Sequence, residues 1–88
     1  MNLQHVIHDL VACVDDSEWE RARTYCDDLR TGLIAMVHES RLPRVDGAIL
    51  GTLRGVEIMV ERHNGSAAES SLRHLAFLID ERTRLLAA

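Results

Sequence analysis

The stretch VDGAILGTLRGVEIMV, residues 45–60, determines whether the chain is all-α or mixed, because it fits two local structures. As strands, only its second half alternates, at Val56, Ile58 and Val60, with Arg54-Gly55 as the turn. As a helix, it carries one apolar stripe over its whole length. That stripe comprises Val45, Ala48, Ile49, Thr52, Leu53, Val56, Met59 and Val60. The more complete match favours a helix over residues 44–63, and Asn64-Gly65 is a natural place for it to stop.

Three further segments show helical periodicity. Residues 3–14 form a short amphipathic helix, and the second helix begins at a capping box of Ser17 and Glu20 and ends before Pro43. The fourth segment opens at a second capping box, Ser66 with Glu69. Its predicted inner face comprises Ala68, Leu72, Leu75, Ala76, Ile79, Thr83 and Leu86.

Short turns between these segments place successive helices antiparallel. The sequence therefore predicts an all-α fold with a single helical domain over residues 1–88. We expect a four-helix bundle with a short first helix followed by three longer antiparallel helices.

Composition and charge narrow the function classes. The chain has 88 residues, a net charge of −4 and ten basic residues, all arginine. It lacks the ~18 consecutive apolar residues of a membrane span, and it opens on no secretory leader pattern. The acidic balance argues against a broadly basic nucleic-acid surface. Cys13 and Cys26 fall on predicted buried faces, which indicates reduced thiols in a cytoplasmic protein.

Gly47, Gly51 and Gly55 recur every four residues on the side of the third segment away from its core stripe. Each glycine inside a helix costs about 0.8–1.0 kcal/mol relative to alanine, so the three cost ~2.5–3 kcal/mol. Close approach of another helix would explain this cost. That helix belongs to the same chain, with Gly32 as the partner position, or to a second copy. Alternatively, the segment is not a continuous helix and the glycines mark turns.

Phe77 lies on the polar side of the fourth segment. Arg73, Asp80, Glu81 and Arg84 surround it at helical spacing. An aromatic anchor bordered by charged groups is typical of a contact hot spot, whereas a lone phenylalanine covered by arginine stems needs no function. The predicted interface comprises Gly47, Leu50, Gly51, Arg54, Gly55, Ile58, Arg73, Phe77 and Arg84.

The sequence contains no motif for catalysis or cofactor binding. His5, His8 and Asp9 share a face, but no second ligand pair at metal-binding spacing accompanies them. Cys26 lies among apolar residues, where a thiol is normally inert. We therefore expect no enzyme activity, no cofactor and no metal.

The expected function is protein binding. A small acidic chain with a glycine-striped helix and an exposed phenylalanine suits a stoichiometric inhibitor or regulator, comparable to antitoxins, immunity proteins or phage anti-defence proteins. We expect a protein partner, a homodimer, and no membrane or nucleic-acid partner. The alternative is a dimeric helix-turn-helix regulator of nucleic acid, built from the second and third helices with Arg41, Arg44 and Arg54 nearby. Residues 17–22 resemble the opening of a tetratricopeptide hairpin, but no repeat of about 34 residues follows.

Overall fold

The computed structural model describes residues 2–88. They form four helices: α1 (Leu3–Asp15), α2 (Trp19–Val37), α3 (Pro43–Glu61) and α4 (Gly65–Ala87). No strand occurs in this part of the chain, so the all-α prediction is confirmed and the hairpin alternative for residues 45–60 is wrong. The helices pack in a ring in chain order, and α4 closes the ring against α1.

Each helix contributes one apolar stripe to a single shared core. In α3 the residues Ile49, Leu53, Val56 and Val60 are fully covered, which explains why a segment with three glycines remains helical. Ala48, which the sequence places in the same stripe, is exposed, so that part of the prediction is wrong. At the far end of α4 the prediction was wrong: Thr83 and Leu86 are exposed, because the inner stripe continues from Ile79 to Arg82. The core residues are Ile7, Leu10, Cys13, Val14, Ala22, Cys26, Leu29, Leu33, Ile49, Leu53, Val56, Val60, Ala68, Leu72, Leu75 and Ile79.

The turn between α1 and α2 is a Schellman motif with Ser17 in the left-handed region, at φ 56°. The Ser17 N–H donates to the Val14 carbonyl (3.1 Å), and the Glu18 N–H donates to the Cys13 carbonyl (2.8 Å). These bonds satisfy carbonyls that the end of α1 would leave without partners. The predicted capping box of Ser17 and Glu20 is therefore wrong, because a capping residue needs extended backbone and Ser17 is committed to ending α1.

The turn between α3 and α4 repeats this geometry. His63 takes the left-handed position, at φ 53°. Its N–H donates to the Val60 carbonyl (3.0 Å), and the Asn64 N–H donates to the Met59 carbonyl (2.9 Å). The predicted stop near Asn64-Gly65 holds, but the left-handed residue is His63 and not the glycine.

The start of α4 differs from the prediction by two residues. Asn64 is the capping residue, and its side-chain Oδ1 accepts a hydrogen bond from the Ala67 N–H (3.1 Å). The helix therefore begins at Gly65, and Ser66 already lies within its first turn. The predicted capping box of Ser66 and Glu69 is wrong, because the preceding asparagine has taken that role.

A buried polar cluster closes the opposite end of the bundle. Asp46, in the first turn of α3, is only 3% exposed. The Arg82 Nε donates to Asp46 Oδ1 (2.8 Å), and another Arg82 nitrogen donates to the Met36 carbonyl at the end of α2 (3.0 Å). The Ser40 hydroxyl donates to the second Asp46 oxygen. This cluster joins α2, α3, α4 and the loop between α2 and α3.

Within residues 2–88, none of the four helices combines the length and the apolar character that a membrane crossing requires.

Candidate interaction surface

The three glycines of α3 face away from the bundle. Beyond the adjacent residues and backbone of α3 itself, a Cβ atom built on Gly47, Gly51 or Gly55 would meet no heavy atom of the described chain within 4 Å. The explanation by internal packing against Gly32 is therefore wrong, since nothing in residues 2–88 approaches the glycines. The explanation by an interrupted helix is wrong as well, because α3 is continuous. The glycines leave a smooth strip on an outer surface.

Larger side chains border this strip on α3. Leu50 is 37% exposed and Ile58 is half-buried. The Arg54 side chain is 67% exposed and lies 3.9 Å from Glu57, which is a loose ion pair. An exposed pair of this kind contributes ~0–1 kcal/mol and leaves Arg54 able to change partner. The α3 part of the predicted interface thus forms one open face.

Phe77 stands on the outer side of α4. It is 58% exposed, so its predicted position away from the core is confirmed. Its ring stacks on His74, with centroids 6.3 Å apart and an interplanar angle of 13°. His74 precedes Phe77 by about one helical turn and adds to the charged neighbours predicted around it, Arg73, Asp80, Glu81 and Arg84. Most of the ring is left for contact with another molecule.

The arginines on either side of Phe77 make only surface ion pairs. Arg73 contacts Glu69 (2.6 Å), and Arg84 contacts Glu81. The two arginine side chains are 76% and 74% exposed. Because such pairs are worth little in water, a partner could recruit either guanidinium.

The polar cluster sets the alignment of α3 and α4. Asp46 meets Arg82 across the two antiparallel helices. Because α3 and α4 are antiparallel, a residue five positions after Asp46 lies at the same height along the bundle as a residue five positions before Arg82. Phe77 therefore lies at the height of Gly51. The nine predicted interface residues therefore lie on two adjacent helices at overlapping heights, but Arg54 borders the groove between α2 and α3 whereas Arg73 borders the groove between α1 and α4.

Charge is unevenly divided along the chain. Residues 1–37 carry seven carboxylates and three arginines, whereas residues 38–88 carry seven of each. The whole net charge of −4 therefore belongs to the α1–α2 hairpin. Asp9, Asp16, Glu20, Asp27 and Asp28 are exposed there. The α3–α4 layer, where the glycines and Phe77 lie, is electrically balanced.

A shallow groove of about 260 Å³ runs between α2 and α3, lined in part by Cys26 and Glu57. Burial, followed by the negative charges of Glu57 and Asp27, raises the pKa of the Cys26 thiol to about 12. Glu57 of this groove makes a two-point contact with Arg30, whose Nε lies 2.8 Å from Oε2. A thiol that stays protonated at neutral pH is a poor nucleophile. Cys26 and Cys13 are both buried and unpaired.

The relation of α2 to α3 bears on the helix-turn-helix alternative. The Arg30–Glu57 contact and the groove, which is lined from Arg23 on α2 and as far as Glu61 on α3, place the two helices side by side for about two turns. In a helix-turn-helix, the two helices cross at about 90–120°. The outer side of α3 also presents glycines where a recognition helix needs polar groups to reach base edges.

Two contacts were not anticipated from the sequence. Trp19 stacks on His63, with centroids 4.8 Å apart and planes within 3°, and this joins the two Schellman turns. The buried pair of Asp46 and Arg82 had a visible signal, because each extends the apolar stripe of its helix by one position. Among residues 2–88, no group of three or more histidine, cysteine or acidic side chains converges as a metal site would require.

No family model, curated protein or solved structure matches this chain.

Proposed function

We propose that this protein is a small acidic, non-enzymatic interaction module that binds a protein partner stoichiometrically, as an inhibitor or regulator, and that also self-associates. The partner contacts the outer face of α3, which comprises Gly47, Leu50, Gly51, Arg54, Gly55 and Ile58. Antitoxins, immunity proteins and phage anti-defence proteins act in this general way.

One observation carries the proposal: the glycine face of α3 is open. The glycines weaken α3 by ~2.5–3 kcal/mol relative to alanine, yet no helix of the described chain approaches them. That cost is a substantial part of the ~4–13 kcal/mol expected for a chain of this length. A partner helix that lies against the strip would use the close approach that glycine permits.

The charge distribution supports a basic partner. The α1–α2 hairpin holds the net negative charge, so it would attract a positively charged surface and speed the encounter. An acidic hairpin of this kind can occupy a groove that otherwise holds nucleic acid. We also propose a cytoplasmic location, which the buried and unpaired Cys13 and Cys26 support.

The test compares two variants that place leucine on an exposed helix position. Gly51→Leu fills the open face of α3. Ala35→Leu is the control, because it places the same side chain on an exposed position of α2. A partner captured from native lysate by wild-type protein is purified and titrated calorimetrically against all three. We expect one partner bound per chain. Gly51→Leu should raise the dissociation constant about tenfold or more, and Ala35→Leu should leave it unchanged.

The stability of Gly51→Leu serves as an internal control. Since a Cβ at Gly51 meets no atom within 4 Å, this variant should fold at least as stably as wild type. Lower affinity with equal or higher stability is the signature of a binding face. Equal affinity of Gly51→Leu and wild type would contradict the proposal. A gel shift of DNA or RNA that weakens steeply with salt would favour the helix-turn-helix alternative instead.

A further inference from the structure

The outer face of α4 has a charge pattern that is reversed about Phe77. The residues three and four positions before it, His74 and Arg73, are basic in type. The residues three and four positions after it, Asp80 and Glu81, are acidic. Because helical neighbours recur at three and four residues, all four surround the phenylalanine on the same side of the helix.

The geometry points to an antiparallel pairing of α4 with α4 of a second copy, with the two Phe77 rings in contact at the two-fold axis. This inference rests on the self-association in the proposed function and assigns it to α4 rather than to the glycines of α3. In an antiparallel pair, residues before Phe77 face residues after Phe77 of the other copy. Arg73 then faces the second copy's Asp80, and His74 faces the second copy's Glu81, twice over by symmetry.

A parallel pairing in register is disfavoured by the same residues. It would place Arg73 against Arg73 and Glu81 against Glu81, and like charges facing each other oppose association. The charges therefore select the antiparallel orientation. They also select the occupant, because a helix with this same reversed pattern is complementary to the surface, and α4 itself has that pattern.

Phe77, Arg73 and Asp80 are accessible for this contact, whereas Glu81 is half-buried and would exchange its contact with Arg84 for His74 of the second copy. Phe77 is 58% exposed and the Arg73 side chain is 76% exposed. Asp80 is exposed and accepts one hydrogen bond, from Gln4 (3.0 Å). A carboxylate accepts several hydrogen bonds, so Asp80 retains capacity for an arginine of the second copy. Surface aromatic residues with a charged border are the usual anchors of such contacts.

The first test measures mass by light scattering after size exclusion. We expect wild type at twice the chain mass of 9.9 kDa. Phe77→Ala should raise the dimer dissociation constant about 30-fold, which corresponds to ~2 kcal/mol. Ile34→Ala is the matched control, because Ile34 is a similarly exposed apolar residue, 50% exposed, on α2. A wild-type monomer, or an unchanged dimer in Phe77→Ala, would overturn the inference.

The second test fixes the orientation by disulfide formation. Ser70 and Arg84 lie seven positions before and after Phe77, so they face each other only in the antiparallel pair. On one helix they are ~21 Å apart, too far for an internal disulfide. The double variant Ser70→Cys, Arg84→Cys should form a covalent dimer under mild oxidation, and each single variant should not. Cross-linking by Ser70→Cys alone would show a parallel pair and refute the arrangement.

The two proposals fail in different ways. Gly51→Leu should remain dimeric but bind the protein partner more weakly. Phe77→Ala should become monomeric but still bind the protein partner through α3. A Gly51→Leu variant that dissociates into monomers would place self-association on the glycines and contradict the α4 pairing. Loss of partner binding with an intact dimer leaves the α4 pairing supported.

Discussion

The buried contact between Asp46 and Arg82 gives the sharpest stability prediction. Asp46→Leu removes the carboxylate and leaves the guanidinium in a site where its side chain is only 15% exposed. Loss of one member of a buried pair typically costs about 3–5 kcal/mol. Arg82 keeps its hydrogen bond to the Met36 carbonyl and some contact with water, so we expect the lower end, ~3 kcal/mol.

The measurement is urea unfolding followed by far-ultraviolet circular dichroism. With a slope of ~1–1.5 kcal/mol/M, a loss of ~3 kcal/mol lowers the urea midpoint by about 2–3 M. Arg82→Met should cost a similar amount, because it leaves the carboxylate unpaired. The double variant Asp46→Leu, Arg82→Met should be more stable than either single variant, since two well-packed apolar groups replace the pair without a lone buried charge. In this double-mutant cycle, a loss of stability in the double variant that is smaller than the sum of the two single losses shows that the two residues are coupled.

A surface pair provides the control. Arg21 and Glu18 lie 2.9 Å apart with side chains 67% and 42% exposed, so Arg21→Met should leave the urea midpoint nearly unchanged. Added salt should weaken that contact and leave the Asp46–Arg82 contribution nearly unchanged. If Asp46→Leu costs less than ~1 kcal/mol, or if the double variant loses the sum of the two single losses, the buried pair does not stabilise the bundle as described.

Three further predictions concern the turns, a carboxyl group and the thiols. Ser17→Gly should raise the free energy of unfolding by about 0.5–1 kcal/mol, because glycine adopts the left-handed conformation without strain; a cost of ~1 kcal/mol for Ser17→Ala would instead show that Ser17 caps α2. Loss of hydration, followed by the negative charge of Glu69, raises the pKa of Asp15 above 3.8. The protonated Asp15 carboxyl therefore stabilises the folded state below pH 3.8, and this contribution is lost as pH rises through the folded-state pKa. Asp15→Asn should therefore raise the melting temperature at pH 7 and have little effect below pH 3.8, and the same gain from Asp28→Asn would exclude Glu69 as the cause. Cys26 should react with a thiol reagent only as fast as the bundle opens, whereas rapid labelling in native buffer, at the rate of Ser70→Cys, would contradict its burial.

The helices were predictable because their apolar residues recur at helical spacing. The full stripe from Val45 to Val60 distinguished helix from hairpin, since only burial of a continuous face explains apolar residues over so many turns. The exposure of Phe77 followed from the same geometry. The helix boundaries were less accessible, because Ser17 and Ser66 fit a capping pattern that the neighbouring turns override. Which residue takes the left-handed position depends on how two hairpins meet, and sequence spacing does not contain that information.

Contacts between helices were the part that the sequence alone did not reveal. Asp46 and Arg82 are separated by 36 positions, and pairing them requires the alignment of α3 with α4. The open side of the glycine strip was likewise undetermined, because the spacing allows an internal or an external partner. In the structure no other helix of residues 2–88 lies against the glycines, which excludes internal packing. The Gly51→Leu experiment tests whether an external partner binds there.

The glycines of α3 have a consequence for the order of folding. An isolated helix with three glycines has low intrinsic helicity, whereas α4 is rich in alanine, leucine, arginine and glutamate, which favour helix formation in a free chain. Early in folding, α4 should therefore hold transient helical turns while α3 is still coil. The residues of α3 would then become helical only as Ile49, Leu53 and Val56 bind to the apolar side of α4, so that the more glycine-rich helix is templated by its neighbour.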